Sequence, residues 1–262
     1  MWTSILIAVG IAVGLSVIVG VLLGVVAEKF KVESDPREAL VRDCLAGSNC
    51  GGCGYAGCDA YAHAIVAGEA EAGLCPSSDT AKIGEIMGMN VTPAEKMVAF
   101  VRCSGTCQKT TPNYNYRDVS VCTTAYLAPG HGSKKCAYGC CGFGTCAKVC
   151  PFDAIRIVDG LAVVDKTKCH ACGKCVLACP NHLIDIIPDS AKYVVRCSSQ
   201  NKGKDVRGAC ADGCLGCGLC VRVCETGAIS VVNNVASIDH SKCIECGKCA
   251  EKCPSKIIIK RF

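Results

Sequence analysis

The chain of 262 residues carries 28 Lys and Arg against 23 Asp and Glu, a formal net charge of +5, with 5% aromatic residues and 27 cysteines. So small and scattered an excess excludes a nucleic-acid binder built on a basic face and is mildly compatible with an acidic protein partner. So few aromatics leave little large apolar area for an ordinary core. Cysteine at about a tenth of the chain points to a scaffold held by disulfides or metal. An odd count in short repeated spacings argues against disulfides alone and for a compartment where thiolates persist.

Residues 1–27 have no charged side chain, and Ile5 to Ala27 is an unbroken apolar and small-residue stretch. As a helix it would span about 34 Å, enough to cross a bilayer. A cleaved signal peptide is the alternative, disfavoured by the missing basic n-region and the length of the run. Lys29, Lys31, Arg37 and Arg42 follow, so the positive-inside tendency places the carboxyl side in the cytoplasm. Gly10-x3-Gly14 and Gly20-x3-Gly24 offer small-residue faces for helix packing, or are simply the glycines common in membrane helices. Residues 28–43 read as a linker.

A first motif, Cys50-x2-Cys53-x4-Cys58-x16-Cys75, sits in a segment spanning 44–100. Three close cysteines and a remote fourth make a four-thiolate metal pattern, and glycines 51, 52, 54 and 57 permit tight turns and close backbone approach. Gly52 to Gly57 also matches G-x-G-x-x-G, yet no apolar strand precedes it and its second position is a cysteine, so no nucleotide site is read from it. Residues 78–100 read two ways: Thr92-Pro93-Ala94-Glu95 as a capping box, Val98-Ala99-Phe100-Val101 as a strand.

Four further runs fill the last 130 residues. Cys169-x2-Cys172-x2-Cys175-x3-Cys179-Pro180 and Cys243-x2-Cys246-x2-Cys249-x3-Cys253-Pro254 are complete bacterial ferredoxin runs. Cys214-x2-Cys217-x2-Cys220-x3-Cys224 keeps the spacing with Glu225 in place of proline, and Cys136-x3-Cys140-x5-Cys146-x3-Cys150-Pro151 is expanded. Three cysteines in a tight loop wrap a [4Fe–4S] cluster, and the fourth crosses to the partner cluster. Each run is followed by a short apolar piece, at 154–158, 184–187, 228–232 and 257–259, which predicts the hairpin strands of a two-cluster ferredoxin.

Cys150 to Cys169 and Cys224 to Cys243 are each 19 residues apart, and Val101-Arg102-Cys103-Ser104 recurs as Val195-Arg196-Cys197-Ser198. These repeats predict a tandem duplication, with halves over 101–190 and 191–262. Crossing the fourth cysteines groups Cys136, Cys140, Cys146 with Cys179, and Cys169, Cys172, Cys175 with Cys150. In the second half it groups Cys214, Cys217, Cys220 with Cys253, and Cys243, Cys246, Cys249 with Cys224. With Cys50, Cys53, Cys58 and Cys75 this makes five clusters. Seven cysteines remain: Cys44, Cys103, Cys107, Cys122, Cys141, Cys197 and Cys210. They are either buried thiols packing as small apolar groups, or a sixth cluster on Cys103, Cys107 and Cys122 completed by Cys197 or Cys210. Cys141, beside Cys140, can substitute in the expanded run. His63, His131, His170, His182 and His240 form no paired catalytic arrangement; His170 and His240 at most adjust a nearby cluster.

The expected fold is α+β: a single N-terminal transmembrane helix, a small four-Cys iron–sulfur domain, then tandem bacterial-type two-[4Fe–4S] ferredoxin domains. Asn49 to Cys58, Cys136-Ala137-Tyr138-Gly139-Cys140 and the run Cys146 to Ile155, placed after one apolar helix, resemble the B subunit of the Rnf complex, the ion-translocating ferredoxin:NAD⁺ oxidoreductase, in its long form from anaerobic bacteria. The resemblance covers nearly the whole chain. It implies a relay at the cytoplasmic face of the cell membrane that takes electrons from reduced soluble ferredoxin and passes them to membrane subunits. NAD⁺, flavin and ion chemistry would then belong to partner subunits. The rivals are a polyferredoxin of another membrane oxidoreductase such as a hydrogenase, a zinc-binding cysteine-rich scaffold, and a ferredoxin-type redox sensor, for which no signalling motif is seen.

Overall fold

Trp2–Lys29 forms one helix, α1, in the computed structural model, which describes residues 2–29, 35–89 and 95–261. Its described side chains from 13 to 26 are exposed. Among the described residues no helix is long and apolar enough to cross a membrane. Neither glycine pair of α1 has a neighbour where a Cβ would stand.

Three helices then build the first compact unit: α2 (Pro36–Asp43), α3 (Cys58–Val66) and α4 (Thr80–Met87). Each start has a local cause. Asp35 accepts from the Arg37 N–H at 2.9 Å with Pro36 at the first position of α2, and Asp79 accepts from the Lys82 N–H at 3.3 Å at the head of α4. Val41, Tyr61, Ile65 and Ile83 are fully buried between them beside Cys58 and Cys75. The Tyr61 hydroxyl donates to the Glu71 carbonyl (2.6 Å) and accepts from the Leu74 N–H (3.0 Å), which fixes the loop that ends in Cys75. The predicted capping box at Thr92–Pro93–Ala94 lies outside the described residues; the strand reading of the same region is observed as β1 (Met97–Val101).

The rest of the chain repeats one pattern. In the first half β1 pairs antiparallel with β4 (Ile184–Pro188), Val101 opposite Ile184, and β2 (Ile155–Val158) pairs with β3 (Leu161–Val164) as an inner hairpin. In the second half β5 (Tyr193–Val195) pairs with β8 (Ile258–Lys260) around the hairpin of β6 (Ile229–Val232) and β7 (Val235–Ile238). All four expected post-run strands are present. The hairpins turn on Asp159–Gly160 (φ 47° and 66°) and Asn233–Asn234 (φ 49° and 63°), residue types that tolerate the left-handed region such two-residue turns require.

The short helices are α5 (Cys122–Leu127), α6 (Thr145–Lys148), α7 (Lys174–Ala178), α8 (Gly203–Ala209), α9 (Leu219–Arg222) and α10 (Lys248–Glu251). α6, α7, α9 and α10 each follow a glycine with φ between 71° and 79°. Each of these four helices carries a run's third cysteine.

The repeat has a definite register. Cys140, Cys146 and Cys150 recur 74 residues later as Cys214, Cys220 and Cys224, and the 2.7 Å bond from Asp165 N to Ala154 O recurs from Asp239 N to Ala228 O. Cys103 and Cys197, in contrast, are 94 apart. The first half therefore holds 94 − 74 = 20 extra residues ahead of its first run, and α5 lies in that insertion.

Candidate metal centres

Cys50, Cys53, Cys58 and Cys75 line one cavity of about 390 Å³, part of it open to solvent. Asn49, at φ 46°, turns its Oδ1 to accept the Cys58 N–H at 2.8 Å, fixing the start of α3 with its thiol inward. Phe152, His170 and Cys172 close the far side. Gly52 makes that approach possible, because a Cβ there would stand 3.0 Å from the Cys172 carbonyl oxygen. Ser77 Oγ donates to His170 O at 2.8 Å, and the rings of Phe152 and His170 lie 4.1 Å apart. The glycines of the false dinucleotide motif thus serve a thiol-lined loop docked on the first ferredoxin half.

The second half places its cysteines as the crossed assignment expects. Cys214, Cys217, Cys220 and Cys253 line one cavity of about 340 Å³, and Cys224, Cys243, Cys246 and Cys249 line another of about 410 Å³. In the first half Cys169, Cys172 and Cys175 group with Cys150. Burial, then the charge of these three neighbours, pushes the Cys175 thiol up to about 12. Backbone N–H groups of Ala99 and Ala154 donate to Cys169 and Cys150 Sγ at 3.3 and 3.4 Å.

The expanded run departs from the spacing-based grouping. Cys140, Cys146 and Cys179 line a cavity of about 390 Å³ together with Cys122 and Cys141, and Cys136 is not among its walls. The 74-residue register explains why: the counterpart of Cys217 is Phe143, so the loop lacks its middle thiol. Cys122, carried in by the insertion, packs against Cys141 and Phe143, with its N–H on Thr145 Oγ1 at 2.8 Å. The neighbouring Cys141 thiol donates to it and holds Cys122 down at about 5, while Cys141 is raised by the same contact. Cys136 instead lines a separate cavity with Cys103, Cys197 and Cys210. Cys107 is exposed, with its N–H on the Asp159 carbonyl at 2.9 Å, and lines none of the described cavities. Cys44 terminates α2.

Lys134, which the sequence reading passed over, is 5% exposed and donates from Nζ to the Gly105 and Gly160 carbonyls, both at 2.6 Å. Only its burial marks it, and the sequence carries no sign of that.

These donor sets suit an iron–sulfur cluster. All 27 cysteines are free, and among the described residues no three His, Cys, Asp or Glu side chains converge closely enough to hold a single metal ion. The thiols gather in sets around shared cavities, partly open to solvent, as a polynuclear core needs. Burial pushes Cys146 up to about 12 and Cys197 and Cys220 up to about 11. Thiols in such surroundings ionise when a cationic centre binds them.

Family models agree with this chemistry. Residues 45–77 match one described as "Putative Fe-S cluster", and 168–228 and 213–257 match a 4Fe-4S dicluster domain. Residues 142–189 match an LdpA Fe-S cluster-binding domain. The two dicluster matches share the 214–224 run, and the cavity walls pair that run with Cys253. Over 98% of this chain and 78% of the relative, it is 47% identical to the B subunit of the Na(+)-translocating ferredoxin:NAD(+) oxidoreductase complex of Acetobacterium woodii. It is 43% identical to the B subunit of the ion-translocating oxidoreductase complex of Methanosarcina acetivorans, over 89% of this chain and 90% of that one. The B subunit of the proton-translocating ferredoxin:NAD(+) oxidoreductase complex of Clostridium ljungdahlii is 43% identical over 89% and 84%. With this likeness running through the thiol-lined sites, the chain belongs to the B-subunit family of the ion-translocating ferredoxin:NAD(+) oxidoreductase, or Rnf, complexes.

Proposed function

We infer that this chain is the electron-relay subunit of an ion-translocating ferredoxin:NAD⁺ oxidoreductase, holding at least five [4Fe–4S] clusters. It accepts electrons from reduced soluble ferredoxin and passes them toward membrane subunits of the complex. The observation that carries this reading is that successive thiol sets adjoin one another. Cys172 belongs with Cys150, Cys169 and Cys175 and also walls the Cys50–Cys75 cavity. Cys175 lies within electrostatic reach of Cys146, one set further on.

A [4Fe–4S] cluster supplies reversible one-electron chemistry when bound, and no acid–base group is required. The chain's part is to hold, insulate and tune. Cys50, Cys53, Cys58 and Cys75 hold the cluster nearest α1; Cys150, Cys169, Cys172 and Cys175 hold the next; Cys140, Cys146 and Cys179 hold a third with Cys122 in the place Phe143 leaves. Cys214, Cys217, Cys220 and Cys253, and Cys224, Cys243, Cys246 and Cys249, hold the pair in the second half. Backbone N–H groups aimed at sulfur stabilise the more negative, reduced state.

Ile5 to Ala27 anchors the chain in the cell membrane, with the iron–sulfur part on the cytoplasmic side. The Lys and Arg residues that follow the apolar stretch and the odd number of cysteines in short repeated spacings support this placement. The domain division at 44–100, 101–190 and 191–262 separates the helical unit from the two strand sets, except that β1 (Met97–Val101), which pairs with β4, belongs with the first half.

The test is anaerobic. The full chain is purified in detergent, its iron, acid-labile sulfide and zinc are measured, and chemically reduced ferredoxin is added. Five clusters give about 20 irons with matching sulfide, and their visible absorbance bleaches on mixing. A chain rich in zinc and poor in sulfide, or an iron-loaded chain that ferredoxin does not bleach, overturns the reading.

A further inference from the structure

We propose that Cys103, Cys136, Cys197 and Cys210 bind a sixth [4Fe–4S] cluster at the junction of the two halves. This rests on the reading above that the chain's thiol-lined cavities hold such clusters. These four cysteines wall a cavity of about 390 Å³ with room and chemistry like the others. No ferredoxin run predicts it, since its ligands come from four separate places in the chain.

Its construction follows the internal repeat. Cys197 is the counterpart of Cys103 in the Val-Arg-Cys-Ser repeat, and Cys210 stands 74 residues after Cys136, the register that relates Cys140 to Cys214. Each half thus contributes the same two thiols. The surroundings repeat as well: Gly105 N donates to Cys103 Sγ at 3.4 Å, and Ser199 N, its counterpart, to Cys197 Sγ at 3.5 Å. Gly139 and Gly213 are equivalent: a Cβ at Gly139 would crowd Cys136 O at 3.1 Å, and one at Gly213 would collide with Val206 Cγ1 at 2.0 Å. Two copies of one half-site facing each other make a four-thiol set, which packing of small apolar thiols alone would not require.

A second observation points to a ligand. Ser199 is 3% exposed and walls this cavity, and its Oγ, which makes no well-formed hydrogen bond among the described residues, lies within reach of the Cys136 thiol. A buried hydroxyl without a well-formed hydrogen bond is costly unless something fills the site, and cluster sulfur is an acceptor for it. The segments carrying the thiols are also clamped together. Thr111 N and Ala211 N bond to Ala209 O and Lys109 O at 3.2 and 2.9 Å, and Ser198 Oγ donates to Arg102 O at 3.2 Å.

The position gives the site its role. On one side Cys103 lies within electrostatic reach of Cys140. On the other the Cys214 N–H donates to Cys197 Sγ at 3.3 Å. The cavity is therefore the contact between the last thiol set of the first half and the first of the second.

The experiment counts clusters on the full chain by native mass spectrometry and by iron, sulfide and zinc analysis after anaerobic purification. Wild type is expected to carry six clusters, about 24 irons. Cys103→Ala, Cys136→Ala, Cys197→Ala and Cys210→Ala are each expected to carry five, and Cys107→Ala six. A wild-type count of five with about 20 irons overturns this inference while leaving the relay reading intact; little iron in wild type overturns the relay reading itself. One zinc per chain that disappears in the four variants also overturns the inference. Should a variant misfold and lose several clusters, the wild-type count alone still decides.

Discussion

Lys134 provides a quantitative test of how the protein tunes its clusters. The ammonium is buried and bonds to Gly105 O at 2.6 Å, while Gly105 N donates to Cys103 Sγ at 3.4 Å. The charge therefore stands roughly 8 Å from the cluster edge, which at an effective dielectric of about 20 is worth about 2 kcal/mol. At 59 mV per tenfold for one electron this is about 90 mV. A positive charge favours the reduced, more negative state, so Lys134→Met should lower the potentials of the clusters on Cys103 and Cys140. The neighbouring Lys135 is exposed, and the same distance through water gives only about 0.5 kcal/mol, or about 20 mV. Anaerobic redox titration followed by EPR compares Lys134→Met with Lys135→Met at equal cluster content. Equal shifts in the two variants, or an upward shift in Lys134→Met, would refute the reasoning.

Four other outcomes are expected. Cys50→Ala should abolish ferredoxin-driven electron transfer in the assembled complex while the carboxyl-terminal clusters keep their EPR signals; unchanged turnover would remove that site from the path. Cys122→Ala should lose one cluster, about four irons, and adding Phe143→Cys should restore it by rebuilding the regular run; iron analysis reads both. Gly216→Ala places a Cβ 2.9 Å from Asn234 O at φ 64°, a strain of about 1–3 kcal/mol. It should speed loss of the Cys214 cluster to a chelator several-fold, with the Cys50 cluster unaffected. Removing all iron should melt the two ferredoxin halves, seen as loss of far-UV circular dichroism, because thiols make up much of both cores.

What the sequence made legible was whatever is local. Runs with regular spacing fixed their own loops, and the apolar pieces after them became β2, β4, β6 and β8. That Cys179, Cys253 and Cys224 each wall the cavity of the partner run was legible as well, because each begins the segment after a helix turn. Cys136 walls a different cavity from Cys140, although it stands four residues before it and looks in the sequence like a stretched first ligand, because spacing along the chain does not fix grouping in space. The repeat register carries the signal for this, since Cys136 aligns with Cys210, which no run claims, and Phe143 aligns with Cys217. Cys122 carried no such signal. It sits in the 20-residue insertion, and its approach to Phe143 depends on how α5 folds back.

The departures from regular spacing share one cause. A duplicated two-cluster unit gives two pairs of neighbouring sites, but by itself no contact between the pairs. The thiols that lie outside the runs, Cys103 with Cys197 and Cys136 with Cys210, are those the duplication placed symmetrically at the seam. Cys103 and Cys197 are buried there and Cys136 and Cys210 half-buried, and the Cys214 N bond to Cys197 Sγ at 3.3 Å makes the seam continuous with the second half. The insertion lies on the first-half side of the same seam and brings Cys122 to the adjoining cavity. On this account the irregular thiols join the two copies of the ferredoxin unit into one path, and loss of any of Cys103, Cys136, Cys197 or Cys210 should isolate the second half electrically. Reduced ferredoxin in limiting amount would then bleach one half of such a variant rapidly and the other half slowly, whereas uniform fast bleaching would show that the halves connect elsewhere.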